Sequence, residues 1–160
     1  MGGEFRALPV PEGLDGMRVD QAVSKLFGLS RSVAAELVAA SSLYATAPWG
    51  GVEQDDFLNQ VLIVDVEQSP RELLRRCQSL EQRARRVRKK RWGPRTLDVD
   101  IVLIDGFSSR DPELTVPHPR AHERAFVLVP WLEIDPDAHL GDRSVAGIVD
   151  KLGAEGVRKL

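Results

Sequence analysis

The fold is decided by residues 57–88, which read FLNQVLIVDVEQSPRELLRRCQSLEQRARRVR. The first eleven of these residues are rich in β-branched side chains and predict a strand. A helix start signal follows, with Ser69 as N-cap, Pro70 at the first helical position and Glu72 completing a capping box. A second apolar run, TLDVDIVLIDG at 96–106, predicts another strand. A helix that joins two strands predicts an α+β sandwich with helices packed on a sheet.

The predicted helix has one apolar face, formed by Leu73, Cys77, Leu80, Ala84 and Val87. Cys77 lies on that face and is therefore interpreted as a core residue rather than a nucleophile. It is the only cysteine in a chain of 160 residues, so no internal disulfide can form. A chain of this kind suits a reducing compartment, and the predicted location is the cytoplasm.

Membrane insertion and secretion are not indicated by the sequence. No run approaches the ~18 apolar residues that span a bilayer, and the first residues lack the basic-then-apolar pattern of a signal peptide. The length suits one domain. Towards the end of the chain, residues 126–134 fit either a strand or a helix. The run at 144–153 predicts a helix that is capped by Ser144 and ended by Gly153.

Positive charge is concentrated just before the second strand. The net charge of the chain is −2, yet residues 83–95 hold eight cations and no acid. A run of this kind is most often a solvated face or a nucleic-acid patch, and it also suits a polyphosphate chelated by metal. Because the whole chain is slightly acidic, binding to nucleic acid is the less favoured interpretation.

Two carboxylates, Asp98 and Asp100, lie directly after this basic run. Residues two apart in a strand face the same side, so these side chains share one face while Val99 and Ile101 take the other. Mg²⁺ commonly binds one or two carboxylates together with water and phosphate oxygens, and a pair of Mg²⁺ ions about 3.5–4 Å apart can be bridged by such a pair. The plainer alternative is a strand with a polar face. A calcium loop does not fit, because Val99 and Ile101 are wrong for a turn.

Three stretches in order resemble one protein family. They are SSLYATAPWGGVEQDDFLNQVL at 41–62, RVRKKRWGPRTLDVDIVL at 86–103 and LTVPHPRAHERAFVLVPWLEIDPDA at 114–138. Residues 41–160 as a whole resemble the hydroxymethyl-dihydropterin pyrophosphokinase family of folate biosynthesis. The resemblance implies a ferredoxin-like α/β sandwich that binds ATP and a dihydropterin. It also implies the reaction, in which Mg-ATP donates its terminal diphosphate to the dihydropterin and AMP is released.

The resemblance also implies roles for individual residues. Those implied for catalysis are Arg86, Arg95, Asp98 and Asp100, of which the two aspartates would hold two Mg²⁺ ions. Those implied to bind the nucleotide are Gln78, Glu81, Arg88, Trp92, His118 and Arg124. Those implied to form the pterin pocket are Thr46, Trp49, Phe57, Asn59 and Phe126.

Most of these residues also have a structural interpretation. Phe57 and Phe126 are suited to a slot for a flat heteroaromatic ring, but they would be equally ordinary in a core. His118 lies between two prolines and fits a turn, and Trp92 fits a packing anchor. The polar helix residues Gln78 and Glu81 fit a wet helix face. Their order along the chain, matched to the family, favours the functional interpretation.

The N-terminal segment departs from the family. No Gly-Ser-Asn turn occurs anywhere in the sequence. Instead, residues 7–38 resemble a fragment of the N-terminal RNA-binding module of ribosomal RNA pseudouridine synthases, through RVD at 18–20 and GLSRS at 28–32. The chain is therefore predicted to be chimeric, with a substituted segment of two short helices at 1–40 and a pyrophosphokinase-like domain at 41–160.

Replacing the first strand and helix of the family would leave an open gap in the sheet. Residues 5–10, FRALPV, are a candidate to fill the gap, although Pro9 favours an edge strand. A homodimer formed through the exposed edge is the other expectation. Two alternative functions therefore stand beside the enzyme: a catalytically dead chimera that oligomerises, and an RNA-binding protein.

Overall fold

The computed structural model describes residues 3–9, 35–47, 56–87 and 98–160 of the chain. The strands within these ranges are β1 Gly3–Pro9, β2 Ala35–Ala40, β3 Tyr44–Thr46, β4 Phe57–Val66, β5 Asp100–Ile104, β6 Ser109–Asp111, β7 Leu114–Val116, β8 His139–Leu140, β9 Arg143–Ser144 and β10 Val157–Lys159. The helices are α1 Pro70–Val87, α2 Ala125–Ile134 and α3 Val145–Leu152, with a 3-10 turn at Ala121–Glu123. No helix in these ranges is long and apolar enough to cross a membrane.

One antiparallel sheet of six strands forms the centre of the fold. Its order is β10–β3–β4–β1–β5, and β2 pairs with β4 on the same side as β3. The long strand β4 therefore has β1 along one edge and the pair β2 and β3 along the other. This order is that of a ferredoxin-like sheet, so the predicted fold class is confirmed. The pairs β6–β7 and β8–β9 form two small hairpins outside it.

The first strand lies inside the sheet rather than at its edge. β1 pairs antiparallel with β4 from Gly3 opposite Asp65 to Pro9 opposite Asn59, and it pairs with β5 on its other side. The prediction that the family's first strand is missing is therefore wrong, and the candidate FRALPV fills the gap from Phe5 to Pro9. Pro9 is tolerated because it is the last residue of the strand, where a missing N–H removes little of the ladder. The gap that motivated the homodimer prediction is filled.

The second predicted helix of the N-terminal segment is also wrong where it is described. Residues 35–40 form β2, which pairs with the last residues of β4 from Ala35 opposite Val66 to Ala40 opposite Leu62. A register shift between Leu37 and Ala39 interrupts the ladder. The local helical pattern gives way because β4 offers an unpaired edge, and pairing in a sheet outweighs a weak helix propensity. The first predicted helix lies outside the described residues.

The two faces of the sheet carry separate cores. On one face α1 packs through Leu73 and Cys77, which are 1% exposed and contact buried residues of β4 and β5. The burial of Cys77 confirms its interpretation as a core residue. On the other face α2 packs through Leu128 and Trp131, and α3 through Val145 and Ile148, in one core with Val61 of β4 and Val102 of β5. The sheet thus has helices on both sides, and each strand presents alternate residues to each core.

The predicted helix ends are observed at α1 and α3. The Ser69 amide donates to Glu72 at 3.0 Å, and the Glu72 amide donates to the Ser69 hydroxyl at 3.3 Å, which completes the capping box. The Gly147 amide donates to the Ser144 hydroxyl at 3.1 Å, and Gly153 ends α3 with a φ of 85°. The ambiguous run at 126–134 is helical and belongs to α2.

Candidate active site

The sheet register places the predicted site residues at one end of the sheet. Ala7 of β1 pairs with Val61 of β4 on one side and with Asp100 of β5 on the other. Asp100, Ala7 and Val61 thus form one row across three strands, in which Asp100 and Val61 are two strand spacings or about 10 Å apart. Asp98 precedes Asp100 by two residues, and Asn59 precedes Val61 by two residues and pairs with Pro9, so both lie near the same end of the sheet.

The two aspartates share the face predicted from their spacing. Val99 and Ile101 are 7% exposed and belong to the core beneath α1. Asp98 and Asp100 alternate with them and are half-buried. The amide of Val99 donates to Oε1 of Glu81 at 2.8 Å, so the helix α1 holds the residue between the two carboxylates. The pleat of the strand thus turns both carboxylates away from the α1 core and towards the side where α2 packs.

Arg124 is brought directly beside Asp100. Its Nη1 lies 3.3 Å from Oδ2 of Asp100, and its guanidinium carbon lies 5.7 Å from the ring centroid of Phe126. Arg124 occupies the N-cap position of α2, and Phe126 is in the first turn of that helix. The structure therefore joins a residue predicted for the metal, one for the nucleotide and one for the pterin in a single cluster.

His118 stands at the border of this cluster. Its amide donates to the carbonyl of Val102 at 2.9 Å, which fixes the backbone next to β5. Burial lowers the pKa of His118 below its ordinary value, and this outweighs Asp100, which acts to raise that pKa, while Arg124 and Arg120 add to the lowering. Its Nδ1 accepts a hydrogen bond from the Arg120 amide at 3.2 Å, so the proton of the neutral ring lies on Nε2. His118 therefore presents a neutral N–H donor.

A second group of site residues lies on β3 and β4. Asn59 is 4% exposed, and its Nδ2 donates to Oγ1 of Thr46 at 3.0 Å. Thr46 pairs with Phe57 across the two strands, and Tyr44 pairs with Asn59. Paired residues of an antiparallel ladder share a face, so Thr46, Phe57 and Asn59 project together. A buried amide beside a hydroxyl and a phenyl ring suits the polar edge and the flat face of a heterocycle.

The remaining predicted residues are only partly covered by the structure. Gln78 is exposed on α1, one helical turn before Glu81. Arg86 belongs to the last turn of α1, which is described by its backbone alone. Outside the described residues lie Trp49, Arg88, Trp92 and Arg95.

The donor set around the aspartates fits Mg²⁺. Oxygen ligands from one or two carboxylates, with water and phosphate oxygens in the remaining positions, are typical of Mg²⁺ sites that bind nucleotides. Among the described residues, no group of three or more His, Cys, Asp or Glu side chains could form a metal cage without a substrate.

Two contacts of the site were not predicted from the sequence. One is the bond from the Val99 amide to Glu81, since the sequence suggested only that Glu81 faces the nucleotide. The other is a set of hydrogen bonds that Glu133 of α2 accepts from Ser42 and Tyr44. Both join residues far apart in the chain, and the spacing of neighbours in a sequence carries no signal for such pairs.

Comparison with known proteins places the chain among similar sequences. A family model described as 7,8-dihydro-6-hydroxymethylpterin-pyrophosphokinase matches residues 13–136. A protein of Mycobacterium bovis named 2-amino-4-hydroxy-6-hydroxymethyldihydropteridine pyrophosphokinase is 46% identical over 143 residues, covering 82% of this chain and 74% of the relative. A protein of the same name from Methylorubrum extorquens is 39% identical over 149 residues, covering 91% of this chain and 94% of the relative.

The fold also has a counterpart among solved structures. A crystal structure of Plasmodium falciparum HPPK-DHPS matches with a TM-score of 0.66 and 9% sequence identity. The match covers 99% of this chain and 46% of that chain, so this chain spans less than half of the larger protein. At such low identity the likeness describes the fold alone.

Proposed function

This chain belongs to the 7,8-dihydro-6-hydroxymethylpterin-pyrophosphokinase family, and on that premise we propose how its residues serve the reaction. The protein is a pyrophosphokinase, a transferase of folate biosynthesis, that uses ATP as co-substrate. It transfers the terminal diphosphate of ATP to the hydroxymethyl oxygen of 6-hydroxymethyl-7,8-dihydropterin and releases AMP. The observation that supports this assignment of roles is the position of Arg124, which lies 3.3 Å from Asp100 and 5.7 Å from the ring centroid of Phe126.

The two aspartates next to the start of β5 would bind the metal. Asp98 and Asp100 would hold two Mg²⁺ ions, which when bound offset the negative charge of the phosphates. Glu81 holds the backbone between the two aspartates through the Val99 amide and thereby orients both side chains. Arg124, which lies at 3.3 Å from Asp100, is placed to donate to a phosphate oxygen at the same point.

The other cations and the nucleotide residues complete the phosphate side. Arg86 and Arg95 are proposed to stabilise the charge that moves during transfer, as guanidinium groups do in phosphoryl transfer. His118 offers its Nε2–H to the nucleotide as a neutral donor. The further residues proposed to bind the nucleotide are Gln78, Glu81, Arg88 and Trp92.

The pterin is proposed to bind against β3 and β4. Asn59, buried and bonded to Thr46, presents an amide to the ring edge, which carries both donors and acceptors. Phe57 and Phe126 would stack on the ring faces, and Trp49 would close the pocket. Binding of the two substrates near one end of the sheet would then supply catalysis by positioning, without a covalent intermediate.

The alternative functions have less support. The family match begins at residue 13 and continues through the predicted junction near residue 40, so the comparisons do not support a second family over residues 7–38. The catalytically dead chimera and the RNA-binding protein remain predictions, whereas the homodimer has lost the open gap on which it rested, because β1 fills that gap. We also propose a cytoplasmic location, because a chain with a single cysteine cannot form an internal disulfide and so suits a reducing compartment.

A direct test combines turnover with binding. The wild-type protein is expected to release AMP from Mg-ATP and dihydropterin, and to bind ATP in calorimetry only when Mg²⁺ is present. Asp100→Asn is expected to lower turnover by about 10²–10³-fold and to abolish the Mg²⁺ dependence of ATP binding, because a charged ligand is lost.

The matched control is Asp105→Asn, an exposed carboxylate just after the same strand, which is expected to behave as wild type. Absence of AMP release by the wild-type protein, in an assay where a known relative is active, would exclude the proposed activity. Tight binding of RNA that weakens steeply with salt would instead favour the RNA-binding alternative.

A further inference from the structure

One carboxylate, that of Glu133, joins helix α2 to the strand β3. Its Oε1 accepts hydrogen bonds from the Ser42 amide at 2.9 Å and from the Ser42 hydroxyl at 2.7 Å. Its Oε2 accepts a hydrogen bond from the hydroxyl of Tyr44. Nζ of Lys159, in β10, lies 3.9 Å from Oε1. A single side chain of α2 thus gathers donors from two neighbouring strands of the sheet.

The charge states strengthen this junction. Burial acts to raise the pKa of Glu133, but the hydrogen bonds from Tyr44 and Ser42 and the charge of Lys159 outweigh it and hold that pKa below its ordinary value. Burial and the same carboxylate raise the pKa of Tyr44 to about 12. At neutral pH an ionised acceptor therefore faces a neutral donor, and hydrogen bonds of this charged kind are stronger than neutral ones.

The junction connects the two walls proposed for the pterin slot. Tyr44 pairs in register with Asn59, and two residues later Thr46 pairs with Phe57. On the helix side, Phe126 precedes Glu133 by seven residues, which is about two helical turns, so both side chains lie on the same face of α2. Glu133 therefore connects β3, next to the wall formed by Thr46, Phe57 and Asn59, to α2, which carries Phe126 of the other wall.

We propose that Glu133 is a positioning residue of the pterin site, which sets the separation between the β3–β4 wall and α2; this inference rests on the function proposed above. A flat ring held between two surfaces needs contacts of about 3.5–4.0 Å on each face, and small departures forfeit much of the attraction. A junction that fixes the walls before the substrate arrives also avoids the loss of conformational entropy on binding.

The test separates positioning from stability with two conservative variants. Glu133→Gln keeps the length of the side chain but removes its charge, and Tyr44→Phe removes only the hydroxyl from a buried ring. We expect Glu133→Gln to raise the KM for dihydropterin by about tenfold and Tyr44→Phe by about threefold, with the KM for ATP unchanged, because the bonds lost go to a charged group. Combining the two is expected to give less than the product of the single effects, since both remove one interaction.

The control is Asp150→Asn, an exposed carboxylate of α3, which is expected to leave both KM values unchanged. Equal losses for ATP and dihydropterin would mean that Glu133 acts on stability alone, and multiplicative effects in the double variant would mean that Glu133 and Tyr44 act independently; either result would overturn the inference. Calorimetry with dihydropterin distinguishes failure of the proposed function from failure of this inference alone. If the wild type binds no dihydropterin, the proposed function and this inference fall together. If it binds, and Glu133→Gln binds equally well, only the inference falls.

Discussion

At the scale of single residues, the site shows how one backbone pattern serves both packing and chemistry. Val99 and Ile101 fill the core beneath α1, while Asp98 and Asp100 alternate with them and face the opposite side. Period-two alternation follows from the pleat of a strand, so this arrangement was predictable from the sequence. The partner of Asp100 was not, because Arg124 is twenty-four residues away and reaches it only through the fold.

His118 provides a prediction at the same scale. Its pKa is lowered from 6.5 in the folded protein, so the unfolded chain binds more protons in acid. The contribution of His118 to the free energy of unfolding is therefore fully present above pH 6.5, and it is lost as the pH falls through the folded pKa. His118→Gln, which does not titrate, should show a smaller loss of unfolding free energy on acidification than the wild type.

The measurement is urea unfolding of both proteins at several values between about pH 5 and pH 8, the range in which histidine titrates. The difference in unfolding free energy between wild type and variant should rise with pH and become constant above pH 6.5. A difference that is the same at every pH would show that burial does not perturb the ring.

At the scale of elements, α1 and β1 mark the two limits of sequence-based prediction. The start of α1 was predictable because its signals are local: Ser69, Pro70 and Glu72 lie within one turn and form the expected bonds. The interior position of β1 was not predictable. Pro9 lacks an N–H and therefore favoured an edge strand, but a proline does not show which strands lie on either side. The partner strands β4 and β5 lie far along the chain, and only their pairing shows that Pro9 is at the end of the ladder.

The interior position of β1 has a measurable consequence. Ala7 pairs on both sides, with Val61 and with Asp100, so Ala7→Pro removes an N–H from the middle of a strand that has two neighbours. We expect a loss of about 3 kcal/mol or more of unfolding free energy in urea. Ala7→Ser, which keeps the N–H, should cost much less. Equal effects of the two substitutions would place residue 7 outside the sheet.

At the scale of the whole molecule, β1 fills the gap in the sheet on which the homodimer prediction rested. One border strand of the sheet is β10, in which Val157 pairs with Thr46 and Arg158 forms an ion pair with Asp56 at 2.9 Å. The α+β class was predictable because two strands joined by a helix occupy residues 57–106, whereas the ferredoxin-like arrangement was implied by the family resemblance. Residues 5–10 were a candidate for the strand in the gap, but the sequence could not choose them over a second chain, since a short segment with one proline carries little pattern.

We therefore expect a monomer of 17.7 kDa in solution. Light scattering at several protein concentrations measures this directly. A mass twice as large would restore the homodimer, and its interface would then have to be a surface other than the former gap.

The central position of β1 also bears on how the polypeptide is made. During synthesis this strand leaves the ribosome before either neighbour exists, and its second neighbour, β5, follows only after more than half of the chain has been translated. Pairings between segments so distant in sequence form slowly, and contacts of this kind dominate the rate of folding. Until β4 and β5 have been made, β1 exposes backbone N–H and C=O groups without partners, and unpaired strands of this kind are prone to aggregate.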